Sequence, residues 1–230
     1  MYVLHYAPDN ASLIVRLALE EMGLPYRTVL VDRARREQDG AAYRRLNPAG
    51  LIPALETPAG PMSETGAILL WLAEEHGALA PAPGSPERGQ FLRWLFFTAN
   101  TLHADIRLFF YPDRHAGTGA DVAAFTDATQ ARILRHLGLM EEIAAGRPDW
   151  LSPDAPSVLS WYVVTLIRWL ALYPTGRAGW LDLTAFPALH TLAAAHEGRP
   201  AARKAALAEG LGDTIFTNPS YARPPEGSAT

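Results

Sequence analysis

The chain has 230 residues and no cysteine, which excludes a disulfide framework, a cysteine-ligated metal centre and a protein thiol nucleophile. Its 20 basic and 24 acidic residues leave a net charge of −4, without the footprint of a nucleic-acid binder, and Lys204 as the sole lysine argues against Schiff-base chemistry. A hydrophobic fraction of 49%, including 6 Trp, 8 Tyr and 8 Phe, is enough for a packed core.

The opening residues Met1 to Asn10 lack the basic region and apolar run of a signal peptide. No apolar stretch reaches the roughly 18 residues of a membrane span, so a soluble, cytoplasmic protein is expected. Tyr2 to Tyr6 is a β-prone run, stopped by the turn cluster Pro8-Asp9-Asn10. Ser12 opens a helix that runs to Met22, with Gly23 as its stop. Thr28 to Val31 is a second strand, so strand, helix and strand form a βαβ unit with a parallel pair. Ala41 to Leu46 is a short helix closed by Asn47-Pro48-Ala49-Gly50. Two extended pieces, 53–57 and 60–62, flank a turn at Pro58-Ala59-Gly60 and read as a hairpin. Thr65 to His76 is a helix stopped by Gly77.

The Pro-rich stretch from Ala80 to Pro86 is the clearest linker, and everything after it reads as helix. Helical spacing marks 87–104, 121–145, 157–173, 189–196 and 200–209. The third of these is apolar all round, so Trp161, Tyr162 and Trp169 on it read mainly as core. The fold class expected is α/β plus all-α: an N-terminal α/β domain over 1–78, a linker over 79–86 and a helical domain over 87–216. The Pro-, Gly- and Ser-rich end, 217–230, is expected to form a loose tail. The seven histidines show no metal-ligand spacing and there is no Gly-rich phosphate loop, so no metal is expected.

Four stretches resemble the glutathione transferase family. Tyr6-Ala7-Pro8 with Ser12-Leu13 and Ala18-Leu19-Glu20-Glu21 is similar to its first loop and helix. Asn47 to Leu55, reading N-P-A-G-L-I-P-A-L, is similar to the N-P-x-G-x-V-P-x-L signature. Ser63 to Ile68 resembles the E-S-x-A-I element, with Thr for Ser. Leu102-His103, Leu108-Phe109 and Arg199-Pro200-Ala201 resemble the bacterial, beta-like branch.

The resemblance implies a thioredoxin-like domain that binds glutathione as co-substrate. Ile52, ahead of Pro53 in an X-Pro bond that is open to the cis form, would pair its backbone with the cysteinyl part of the tripeptide. Glu64 and Thr65 would hold the γ-glutamyl end, at a helix start that favours an anion. Arg35, with Arg33 and Arg36, would grip the glycyl carboxylate. The thiol would be held as thiolate by a hydrogen-bond donor near the first helix, with Ser12 the first choice and Tyr6 and Asn10 the alternatives. Two departures stand out. Ala11 occupies the position of a cysteine common in the beta-like branch, and Leu51 that of a polar residue contacting ligand backbone. His103, Arg107, Phe110 and Tyr111 would line an interdomain pocket for a small electrophile or peroxide. A two-fold homodimer is also implied, with Trp94 and Phe97 as exposed aromatics at its interface. The alternative is a catalytically silent binding protein of the same shape.

Overall fold

The computed structural model describes residues 1–176 and 179–229. Four strands form one mixed sheet in the order β2-β1-β3-β4: β1 Tyr2–Tyr6, β2 Tyr26–Leu30, β3 Ala54–Thr57 and β4 Gly60–Ser63. Strand β1 runs parallel to β2, from Tyr2 opposite Tyr26 to Tyr6 opposite Leu30, and antiparallel to β3. The expected hairpin is β3–β4. The helices here are α1 Ser12–Glu21, α2 Ala41–Arg44 and α3 Thr65–His76. Alternation along β1 divides the layers. Tyr2, Leu4 and Tyr6 pack with Val15 and Leu19 of α1 and with Ile68 and Leu72 of α3. On the other face, Tyr43 of α2 packs with Val31 and Ala54, and the His5 ring meets Tyr43 edge-on. This is a thioredoxin-like layer, with α1 and α3 on one side and α2 on the other.

The rest is helical: α4 Arg88–Phe97, α5 His103–Phe110, α6 Pro112–His115, α7 Val122–Ala145, α8 Val158–Leu172, α9 Pro187–Glu197 and α10 Pro200–Glu209. Helices α4 and α5 are one run, joined by a π-helical turn over Thr98–Leu102 that extends it beyond the expected end at 104. The extra residue in such a turn rotates the downstream helix by about 100°. His103, the first residue of α5, meets Tyr162 and Trp169 of α8.

Helix α1 belongs to both cores. Val15 and Leu19 face the sheet, while Leu13, Ile14, Leu17 and Ala18 join the large cluster built on α8. Residues 12–19 are all buried. Each fully buried Leu or Ile contributes roughly 1.5–3 kcal/mol, so the first turn of α1 is fixed from two sides.

Two expectations are corrected. Trp94 is buried at 6% exposure, packed edge-on against Phe97, which is half-buried; Phe96, between them, is the exposed aromatic, at 52%. Helical phase explains this: 91, 94 and 95 face the core, and 96 points away from it. The carboxy-terminal residues are also not a loose tail. Ser220 C=O accepts from Arg168 at 3.0 Å, Tyr221 O–H donates to Leu172 C=O at 2.8 Å, and Arg223 N–H donates to Gly210 C=O at 2.8 Å. Composition argued only against regular structure there; bonds to α8 and to Gly210 hold the segment instead.

No helix among the described residues is long and apolar enough to cross a membrane.

Candidate active site

The loop between β1 and α1 is pinned by buried charge. Asp9, at a left-handed φ of 50°, is 5% exposed and accepts Arg168 Nε at 2.8 Å and Nη2 at 2.9 Å. Trp169 Nε1 and Tyr173 O–H donate to the same carboxylate at 2.9 and 3.2 Å. Arg168 is the only charged residue on α8 and is fully buried; its remaining donors reach Ile215 and Ser220 C=O. On the other side, Asp9 N–H and Arg16 Nε donate to the two oxygens of fully buried Glu209, at 2.8 and 2.7 Å. Burial pushes the Glu209 carboxyl up to about 7 against the pull of Arg16. A buried pair of this kind adds little net stability when intact, but losing one partner strands a charge, so its value here is positional.

That loop decides among the three thiol candidates. Ser12, the first choice, is fully buried, and its hydroxyl donates to Ala7 C=O at 3.0 Å while accepting Ala7 N–H at 3.2 Å. Its proton is committed to backbone, and it does not cap α1, whose N-cap is Ala11. Tyr6 O–H donates to Glu226 at 2.5 Å, and burial followed by that carboxylate raises its pKa well above the ordinary value. Neither hydroxyl is available to an external sulfur in this arrangement. Asn10 is half-buried, and its Oδ1 accepts Ala11 N–H at 2.8 Å, which turns the amide so that Nδ2 is the free end. Among the described residues Nδ2 has no partner.

The Ile52–Pro53 bond is cis, and Ile52 makes no backbone hydrogen bond among the described residues. The preceding Leu51 C=O is engaged by Tyr43 O–H at 2.7 Å and Asn47 Nδ2 at 2.6 Å, so the side chains of the N-P-x-G stretch hold the segment. Glu64 stands at a φ of 68°, rare for a residue with a side chain, immediately before α3. It is exposed and enters no ion pair among the described residues, and the hydroxyl of its neighbour Thr65 makes no hydrogen bond there. The first turn of α3 therefore combines open N–H groups with an available carboxylate.

The arginines divide. Arg35 is 80% exposed at its side chain and pairs with Asp32 at 3.5 Å, and Arg36 pairs with Asp39. Arg35, expected at the glycyl carboxylate, thus reads as solvated surface charge. Arg33 is half-buried, donating to Ala229 C=O at 2.7 Å and to Tyr111 O–H at 3.3 Å.

Of the expected pocket residues, Arg107 is exposed, whereas His103, Phe110 and Tyr111 are half-buried. Phe110 packs against Tyr173 with ring centres 5.9 Å apart. His103 Nδ1 lies 2.8 Å from Tyr162 O–H. Burial, and then the Arg107 charge, lowers the His103 pKa to about 4, so the ring is neutral at physiological pH. The Tyr162 phenol is raised by burial and by the charge of Glu64, and stays protonated. It therefore donates to Nδ1 and leaves the ring hydrogen on Nε2. Tyr162 and Trp169 are in the core as expected, but each also makes a polar link, to His103 and to Asp9 respectively. Arg168 was the legible signal, because one charge on an otherwise apolar helix requires a buried partner. Asp9 and Glu209 gave no such signal.

Among the described residues no group of three or more His, Asp or Glu is arranged to hold a metal ion.

Comparison with known proteins shows the family. The family model described as glutathione S-transferase, N-terminal domain, matches residues 11–75. The chain is 28% identical over 213 residues to glutathione S-transferase GstA of Escherichia coli O157:H7, covering 90% of this chain and 98% of that one. It is 29% identical over 220 residues to the disulfide-bond oxidoreductase YfcG of Escherichia coli K12, covering 93% and 98%. Among solved structures, a sphingomonad glutathione S-transferase complexed with glutathione superposes with a TM-score of 0.74 at 32% identity, over 91% of this chain and all of that one.

Proposed function

Since the chain belongs to the glutathione S-transferase family, we propose that it binds glutathione and holds its sulfur as thiolate for attack on small electrophiles. The observation that carries this is the free Asn10 amide at the start of α1, in a loop fixed by the Asp9–Arg168 pair. A donor to the charged form of a thiol lowers its pKa, and a pre-positioned donor does so without reorganising at the moment of reaction. Asn10 is thus the thiol contact, in place of Ser12. The Ile52 backbone takes the cysteinyl part of the tripeptide, and Glu64 and Thr65 take the γ-glutamyl ammonium and carboxylate. Arg33, half-buried and bonded to Tyr111, replaces the exposed Arg35 as the cation for the glycyl end.

In the reaction, the bound thiol gives its proton to water. The thiolate then forms a carbon–sulfur bond with an aryl halide as halide leaves, or attacks the O–O bond of a peroxide, releasing the alcohol and leaving glutathione sulfenic acid, which a second glutathione converts to the disulfide with loss of water. The protein supplies orientation and thiolate stabilisation. The division between the glutathione-binding and helical domains lies at 79–86, and the assembly is a cytoplasmic homodimer whose interface includes exposed Phe96. The similarity to a disulfide-bond oxidoreductase supports a second reading, glutathione-dependent disulfide exchange. With no cysteine in the chain, each mixed disulfide would then form on glutathione itself.

Calorimetric titration with glutathione, followed by turnover of 1-chloro-2,4-dinitrobenzene and of a model disulfide, tests the proposal. Binding with aryl-halide turnover supports the transferase, and binding with disulfide turnover alone supports the second reading. Binding without either turnover would leave a silent binder, and absence of binding would sink all three.

A further inference from the structure

Helix α3 lies antiparallel to α4. Arg88, which opens α4, pairs with Glu74 near the end of α3, and Leu69 and Ala73 share a core with Phe91 and Leu95. At the opposite end, Gly66 of α3 meets Ala99 in the π-helical turn. A Cβ on Gly66 would lie 3.2 Å from the Ala99 Cβ, closer than ordinary van der Waals contact. The backbone does not ask for glycine here. Gly66 lies inside the first turn of a helix, without a positive φ, where alanine is the better helix former. The other two glycines inside the described helices, Gly89 and Gly138, have nothing within 4 Å of such a Cβ. Gly66 therefore serves the close approach of two helices.

That contact sits directly behind the residues assigned to the γ-glutamyl end. Glu64 and Thr65 precede Gly66, and Ser63 before them is held by the sheet, opposite Ala54. Glu64 thus joins a strand fixed by its ladder to a helical turn seated on Ala99, at a φ of 68° that few residues with side chains adopt. Ile68 N–H closes the turn on Glu64 C=O at 2.9 Å. A methyl group between α3 and the π turn would force the two apart by a few tenths of an ångström. The strand cannot follow, so the Glu64 linkage absorbs the displacement, and its carboxylate moves with the open N–H groups of the turn.

We infer that Gly66 is a positioning residue of the glutathione site: its missing side chain seats the first turn of α3 against Ala99, and that seating aims the Glu64 carboxylate at the γ-glutamyl ammonium. Gly66 acts through Glu64. The inference rests on the proposed glutathione binding and adds the pair of residues that sets the geometry of its γ-glutamyl end.

Calorimetry with glutathione and with glutaryl-cysteinylglycine, which lacks only the ammonium group, isolates the Glu64 contact. The wild type is expected to bind glutathione at least about tenfold more tightly, the scale of one charge-assisted hydrogen bond. Gly66→Ala is expected to bring that ratio to about three, and Gly66→Ala combined with Ala99→Gly, which returns the space, to restore about ten. Ala99→Val presses on the same contact from the other helix and is expected to lower the ratio likewise. A general loss of stability would weaken both ligands equally and leave the ratio in place. A ratio of about ten kept in either single variant, or a lowered ratio that the double variant does not restore, overturns the inference while leaving glutathione binding intact. A wild-type ratio near one does the same. Failure of the wild type to bind glutathione overturns the inference together with the function on which it rests.

Discussion

Asp9 and Asn10 are adjacent, yet they do opposite things: one is saturated by four donors, and the other keeps an amide open. The first makes the second useful, because a donor on a mobile loop would lose most of its effect on a thiolate. Asp9→Ala is expected to leave Arg168 buried without its carboxylate, at a cost of roughly 3–5 kcal/mol, measured as the shift in urea-unfolding midpoint; a change under about 1 kcal/mol would remove the pinning role. Ser12→Ala is expected to destabilise by roughly 1–2 kcal/mol through its lost bonds to Ala7, without moving the pKa of a bound thiol. A large pKa change in that variant would restore Ser12 as the sulfur contact. Glu64→Ala is expected to weaken glutathione binding several-fold by removing the partner of the ammonium, as read by calorimetry; unchanged affinity would contradict the assignment. Asn10, Ser12 and Glu64 were legible in sequence as candidates, but hydroxyl availability was not. Ser12 is occupied by Ala7 C=O, and Asn10 Nδ2 is left free because Oδ1 takes Ala11 N–H, neither of which local pattern reveals.

At the level of elements, α8 is organised by its N-terminus and by one histidine. Ser157 and Ser160 form a reciprocal capping box, Ser157 O–H donates to Trp150 C=O at 2.6 Å, and Ser160 lies 2.7 Å from His196 Nε2. Burial keeps the His196 ring neutral, so with Nδ1 donating to Leu192 C=O at 2.9 Å its Nε2 accepts. Burial lowers its pKa to about 4 from an ordinary 6.5. A folded pKa below the unfolded one gives stability that is full above pH 6.5 and lost as pH falls toward 4, amounting to about 3 kcal/mol for a shift of this size. Thermal unfolding is therefore expected to show a falling melting temperature across that window, with a shallower slope in His196→Gln. Equal slopes would show that the histidine does not carry the effect. The elements themselves were largely legible, because apolar spacing and Gly or Pro stops mark them. The π turn at Thr98–Leu102 was not, since it adds a residue without changing the apolar character. Nor was the order of the carboxy-terminal segment, whose partners lie far away in sequence.

Across the whole molecule, the two halves share α1 and the charged cluster of Asp9, Arg16, Arg168 and Glu209. One cooperative calorimetric unfolding transition is therefore expected; two separated transitions would deny the shared core. The central claim is that Asn10 lowers the thiol pKa of bound glutathione in a site that has no sulfur of its own. Its most direct measurement is the ultraviolet absorbance of thiolate in the glutathione complex as a function of pH, for the wild type and for Asn10→Ala. A bound thiol pKa below the free value of about 8.5 is predicted in the wild type, with a return toward that value in Asn10→Ala and glutathione affinity nearly unchanged. The same depressed pKa in both proteins would contradict it.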